Sequence, residues 1–315
     1  MRKLFLFAFI AVIHLPVVSL GQDKSERFTI IAFGDMPYVL PDDFSRFENL
    51  IKTVNEQDPA FNVHVGDIKS SSTPCSQEYY QKIYNYFDQF KKPLIYTPGD
   101  NEWTDCNKKA AGNYDPEERL EVIRKMFFKD DTSFGKEKIK LEAQSVNPSF
   151  SDFVENRMWA FRNVMFGTLH LVGTNNYFLP ESKNGNKEFF TRDEANATWL
   201  NVIFAEARKK NSTGIFLFTQ ADMFSRDKAS SGCFDRFLRE LKRLTLAFEK
   251  PVILVHGDSH KFIVDKPMLH DSGKVVANFT RIQVFGEDDI HAVKINVSPS
   301  SHSFFSVEQL LIPGN

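Results

Sequence analysis

Four aspartates that each directly follow a glycine have the most chemical reach in this chain: Asp35 in FGDMPY, Asp67 in HVGDIKS, Asp100 in TPGDNEW and Asp258 in VHGDSH, the last followed by His260. An ionised carboxylate only accepts hydrogen bonds, and several brought to one place repel unless they take up protons or share cations. Two divalent ions would balance four such charges. A single Gly-Asp pair is no more than a turn signal. Here each pair closes an apolar run, and the repetition is what points to one metal-binding site.

The runs that carry these pairs have strand length. They cover 28–33, 61–65, 94–97, 169–172, 214–218 and 252–256, and most are continuous rather than alternating, as in strands covered on both faces. Helical spacing lies between them: Phe44, Phe47, Leu50, Ile51 and Val54 after the cap candidates Asp42 and Asp43; Tyr79 to Phe87; and Leu120, Ile123 and Phe127 after Asp115-Pro116. Two longer amphipathic helices are predicted over 195–209 and 234–248, and the tail from Asn278 alternates like exposed-face antiparallel strands. The sum is an α/β architecture with a mixed or second sheet. Open α/β sheets bind ligands beyond the carboxyl ends of their strands, so acids at successive ends meet in one crevice. A glycine before each acid permits a sharp exit and close backbone approach.

The series GD, GD, GDNE and GDSH, spread from Asp35 to His260, resembles the calcineurin-like metallophosphoesterase superfamily. Its motifs are GDxH, GDxxD, GNH followed by an acid, a separate strand-end histidine, and GHxH. The resemblance implies a four-layer αββα sandwich with two mixed sheets and hydrolysis of a small phosphate mono- or diester by a hydroxide held between two metal ions. It gives Asp35 and His260 to the first ion, Asp67 to both, and Asp100, Gln220 and Asp258 to the second. Pro37, Asn101, Gln220 and Asp258 stand where the family has histidines. Oxygen in place of imidazole favours manganese, magnesium or calcium over zinc. Asn101 is then a donor to a phosphoryl oxygen that cannot serve as an acid. Lys69, Trp103 and Tyr38 are the candidate substrate contacts, the two aromatics as cleft walls. Asp222 is a candidate ligand or support beside Gln220, and His64 and His256 read as core histidines. The alternative reading is a catalytically silent binding protein on the same scaffold.

The whole chain bounds the rest. With 315 residues and 36.3 kDa it forms one large domain, expected over 22–315. A formal net charge of −2 gives no field for general nucleic-acid binding. Arg2 and Lys3, the apolar run to Leu20 and small Ser19 and Gly21 form a signal-peptide layout over 1–21, leaving no stable membrane span after cleavage and a secreted or periplasmic product. Export makes a disulfide possible among the three cysteines. Cys75 with Cys106 is the favoured pair, because each follows a strand-end acid.

Overall fold

The computed structural model describes residues 26–183, 185–225 and 232–315; the signal-peptide expectation lies outside them. Among the described residues two mixed sheets stack face to face. In chain order the first elements are β1 (Phe28–Phe33), α1 (Asp42–Gln57), β2 (Phe61–His64), α2 (Gln77–Phe87), β3 (Leu94–Tyr96) and α3 (Pro116–Phe127). Then come β4 (Glu142–Ala143), β5 (Arg157–Phe161), β6 (Val164–Thr168), α4 (Lys187–Lys209), β7 (Gly214–Phe218), α5 (Asp235–Phe248) and β8 (Val252–His256). The chain ends with β9 (Ile263–Asp265), β10 (Phe279–Gln283), β11 (Ala292–Val297) and β12 (Phe305–Leu310). The five-stranded sheet runs β12-β11-β1-β2-β3 and the seven-stranded sheet β4-β5-β6-β7-β8-β10-β9.

The continuous apolar runs follow from burial on both faces. In β1, Ile30 and Ala32 point between the sheets while Ile31 and Phe33 point to the helix side; in β7, Phe216 and Phe218 face inward, and Ile215 and Leu217 outward. Phe47 and Leu50 of α1 with Ile83 and Phe87 of α2 cover one outer face. Trp199 and Ile203 of α4 with Leu241 and Leu244 of α5 cover the other. Between the sheets Trp159, Phe166 and Phe216 form a stacked column, with neighbouring centroids 5.4 and 5.6 Å apart. The layers are helix, sheet, sheet, helix, as the resemblance implies.

Several local expectations are corrected. The run at 169–172 is the exit from β6 rather than a strand; the strand is Val164–Thr168, joined to β5 by a tight turn with Arg162 and Asn163 at φ 44° and 60°. Two left-handed central residues match the twist of a hairpin, but Arg-Asn lacks the glycine that usually announces one. Helix α4 starts at Lys187, eight residues before Ala195. Strand β10 is buried rather than exposed on one face, and it runs parallel to β8 on one edge and antiparallel to β9 on the other; β11 pairs antiparallel with β1 and β12, as expected of the tail. Asp115 caps α3 by accepting from the Glu118 amide, with Pro116 in the first turn, as expected. Asp43 instead accepts from the amides of Tyr38 and Val39, so it ties the loop after β1 to α1 rather than capping the helix.

Cys75 and Cys106 are disulfide-bonded, with Cα atoms 5.7 Å apart, and both are buried. The bond joins the loops that follow Asp67 and Asp100. Cys233 lies outside this bond and is buried. Closing a 31-residue separation restricts the unfolded chain, so replacing both cysteines by alanine is expected to lower the unfolding free energy by about 3–4 kcal/mol. Urea denaturation of the two proteins measures the difference.

Candidate functional site

Three of the four acids leave their strands through unusual backbone. Asp35, Asp67 and Asp258 are left-handed, with φ of 54°, 56° and 75°, and His260 follows at 57°. Such φ values are uncommon for residues with a side chain and cluster where surroundings enforce them. The loops are zipped together: the Asp35 amide donates to the Gly66 carbonyl and the Met36 amide to the Asp67 carbonyl, each at 3.0 Å. The preceding glycines have a second use. A Cβ on Gly99 would stand 2.1 Å from Asp67 Oδ1, and one on Gly257 would stand 2.1 Å from Asp35 Oδ2. Each of these two glycines makes room for the acid of another strand.

The result is convergence. Asp258 N–H donates to Asp35 Oδ1 at 3.0 Å, joining an acid of the seven-stranded sheet to one of the five-stranded sheet. Asp100 Oδ2 and Asp258 Oδ1 each lie 2.8 Å from the point where a Cβ on Gly173 would stand. Gln220 Nε2 donates to Asp67 Oδ2 at 3.1 Å and to Asp100 Oδ1 at 3.0 Å. Tyr38 Oη donates to Asp67 Oδ2 at 3.0 Å, and Asn101 reaches the same carboxylate through its backbone N and its Nδ2, both at 3.0 Å. Asp35, Asp67 and Asp100 are buried and Asp258 is half-buried.

Burial first, and then neighbouring carboxylates, push the Asp35 carboxyl well above the usual range against the opposing Asp258 amide; Asp258, Asp100 and Glu102 are the repelling groups. Asp67 is raised in the same way by burial and by Asp100, Glu102 and Asp35. Asp35 Oδ2 is buried with no hydrogen-bond partner among the described residues. The Tyr38 hydroxyl is pushed up by burial and by Asp67.

Two proposed substrate contacts are placed elsewhere. Trp103 is fully buried under the site, against Tyr177 and His170 at 4.8 and 5.4 Å between ring centroids, and so is not a cleft wall. Lys69 is also fully buried and donates to the Asn101 carbonyl, so its ammonium positions backbone rather than meeting a phosphate; burial brings its pKa down to about 8. Tyr38 does stand in the site, edge-on to His260 at 5.4 Å. His260 Nε2 is 3.7 Å from Asp35 Oδ1, and Glu287 braces its Nδ1 at 2.9 Å. Asp222 accepts from Ser259 Oγ at 2.7 Å, and its backbone N–H donates to Asp258 Oδ2 at 2.9 Å, so it supports the site from behind. His64 and His256 are core residues, both buried.

Residues missed in the sequence complete the frame. Glu102 is fully buried and its Oε1 accepts from the amides of Asp67 and Gly99, at 3.2 and 2.6 Å, and from Tyr96 Oη at 2.7 Å. Its place in GDNEW was the available signal. Gly173 and Thr174, which donate to Gln220 and Asp100, sit in GTNN directly after the run read as a strand, and nothing local marks them.

No protein-family model and no curated sequence matches the chain. Solved structures do. A dimetal phosphatase from Danio rerio superposes with a TM-score of 0.54 at 10% identity, over 90% of this chain and 99% of that one. A purple acid phosphatase from yellow lupin (Lupinus luteus) seeds gives 0.51 at 12%, over 92% and 52%. GAP50, the anchor in the inner membrane complex of Plasmodium, gives 0.51 at 12%, over 92% and 90%. The chain has the metallo-dependent phosphatase fold. At these identities the likeness concerns the fold, and the site must be judged from its own residues.

The donor chemistry fits a hard cation: the partnerless Asp35 Oδ2 and the cradle between Asp100 and Asp258 above Gly173 both present oxygen. Among the described residues, no three His, Cys, Asp or Glu side chains are arranged around one ion position. Gln220 does not fit the ligand role, because its amide nitrogen faces the acids.

In chelator, the raised carboxyls hold protons that the unfolded chain, titrating near 3.8, has lost. The contribution of these two carboxyls to stability is therefore fully present below about pH 4 and is lost as pH rises through the raised folded values. Asp35→Asn is expected to flatten this fall and to stabilise the chelated protein by roughly 1–3 kcal/mol at pH 8. Denaturation at pH 5 and pH 8 reads both effects, and an unchanged slope counts against the assignment.

Proposed function

We propose that this chain is an exported, metal-dependent phosphoric ester hydrolase acting on a small phosphate mono- or diester. The observation that carries the reading is the meeting of strand-end acids from both sheets in one buried crevice, where Asp35 Oδ2 has no partner. Burying like charges is costly, and a bound cation is the simplest compensation. The fold shared with two phosphatases supports it. The buried disulfide supports an oxidising compartment. No helix among the described residues is long and apolar enough to cross a membrane.

Asp35, Asp67, Asp100, Asp258 and His260 would hold the two divalent ions that the resemblance implies, and the chemistry these would supply is charge neutralisation on phosphoryl oxygens. The chain's own residues orient the ester. Asn101 Nδ2 spends its two hydrogens on Tyr38 Oη at 2.9 Å and Asp67 Oδ2 at 3.0 Å, so it would reach a phosphoryl oxygen by exchanging one of these bonds, and it cannot supply a proton. Lys69 fixes that residue through its carbonyl. Glu102 holds the Asp67 and Gly99 amides, and with them the turns after β2 and β3.

A second reading, binding without turnover, is favoured by the number of neutral donors already committed to Asp67. The two are separated with chelated protein and an aryl phosphate and a diaryl phosphate, before and after addition of Mn²⁺ or Mg²⁺. A metal-restored rate is expected, lost in Asp67→Ala and lowered about 100-fold in Asn101→Ala. No rate with any metal, with retained affinity for inorganic phosphate, selects the binding protein.

A further inference from the structure

The family resemblance gives Gln220 the place of a metal-binding histidine, yet its carboxamide is turned the wrong way for a ligand. Oε1 accepts from the Gly173 amide at 2.6 Å, while Nε2 donates to Asp67 at 3.1 Å and to Asp100 at 3.0 Å. The side chain is fully buried. Rotating the amide by half a turn would set its NH₂ against the Gly173 N–H and remove both bonds to carboxylate. The orientation is thus decided by its partners, as amide orientations generally are.

The loop that presents Gly173 N–H is itself held. Thr174, Asn175, Asn176 and Tyr177 are all left-handed, with φ of 46°, 55°, 52° and 56°. Four such residues in a row without glycine persist only where surroundings impose them. Here Thr174 Oγ1 donates to Asp100 Oδ2, Asn176 Oδ1 accepts from the Val172 amide at 3.3 Å, and fully buried Arg192 donates to both the Asn176 side chain and its carbonyl, the latter at 2.8 Å. Gly173 cannot turn its N–H away from Gln220 without breaking this anchorage. Asp67, expected to bridge two ions, meanwhile accepts from Asn101 N at Oδ1 and from Tyr38, Asn101 and Gln220 at Oδ2.

We infer that the Gln220 carboxamide, aimed by Gly173, is a built-in substitute for one of the two cations, so that the site takes a single divalent ion on the Asp35 and Asp258 side. This rests on the reading of the crevice as a cation site. Two N–H bonds give the Asp67 and Asp100 oxygens part of the compensation an ion would supply, without the ion.

The test is a metal count, independent of turnover. Chelated full-length protein is loaded with Mn²⁺, freed of excess by gel filtration and analysed by plasma mass spectrometry, alongside Gln220→Glu. In that variant one carboxylate oxygen keeps the Gly173 bond and the other replaces the amino group with an anionic donor. One ion in the wild type and two in the variant are expected. Two ions in the wild type overturn the inference while leaving the cation-site reading intact. One in both chains overturns the role given to Gln220, and none in either overturns both the inference and the reading beneath it. If Gln220→Glu fails to fold by circular dichroism, Gln220→His is counted in its place, and the wild-type count decides between one ion and two in any case.

Discussion

Mutual repulsion among carboxylates that two sheets force into one buried crevice is the constraint around which this molecule is organised. Asp35 and Asp67 come from the five-stranded sheet and Asp258 from the seven-stranded one, and the Asp258 amide bonded to the Asp35 carboxylate closes the gap between them. Strands of both sheets end at the same rim, which brings these groups near one another. The left-handed acids and the glycines beneath them are how the chain reaches that geometry.

A second tier of buried polar groups keeps the crevice from relaxing. Glu102 receives backbone amides from two of the acidic turns. Behind the 173–177 loop, Glu155 bonds His170 at 2.8 Å and Arg124 at 2.8 Å; although burial opposes its ionisation, Arg124 and His170 hold its carboxyl well below the usual range. Trp103 fills the space between this cluster and Arg192. These bonds tie the turns together, although Glu102 Oε2, Trp103 Nε1 and His170 Nε2 are buried without a hydrogen-bond partner among the described residues, each at a desolvation cost. The disulfide adds a covalent tie between the loops after Asp67 and Asp100.

The fold itself is shared by phosphatases and by a protein described as a membrane-complex anchor. Layer order therefore says little about turnover, and the chemistry of individual donors says more. Where the resemblance implies imidazole, this chain has a carboxylate at 258 and a carboxamide at 220, which differ from it in hardness and, at 258, in charge. A carboxylate invites a cation, whereas a carboxamide offers oxygen or N–H according to what faces it.

That dependence separates what was legible in the sequence from what was not. Most strand positions, the helix faces and the identity of the converging acids were readable from local periodicity and from Gly-Asp pairs that repeat in step with apolar runs, and the Cys75–Cys106 pair followed from the same placement. The αββα layering was implied by the family resemblance, and the strand expected at 169–172 lies earlier, at Val164–Thr168. The hairpin turn at Arg162-Asn163 and the burial of β10 were not readable, since both depend on neighbours distant in sequence. Neither was the burial of Trp103 and Lys69, whose residue types suit a cleft wall and a phosphate contact equally well in isolation. The direction of the Gln220 amide was decided by tertiary structure alone: a carboxamide has no preferred face of its own, and the Gly173 N–H that selects one comes from a loop 47 residues away.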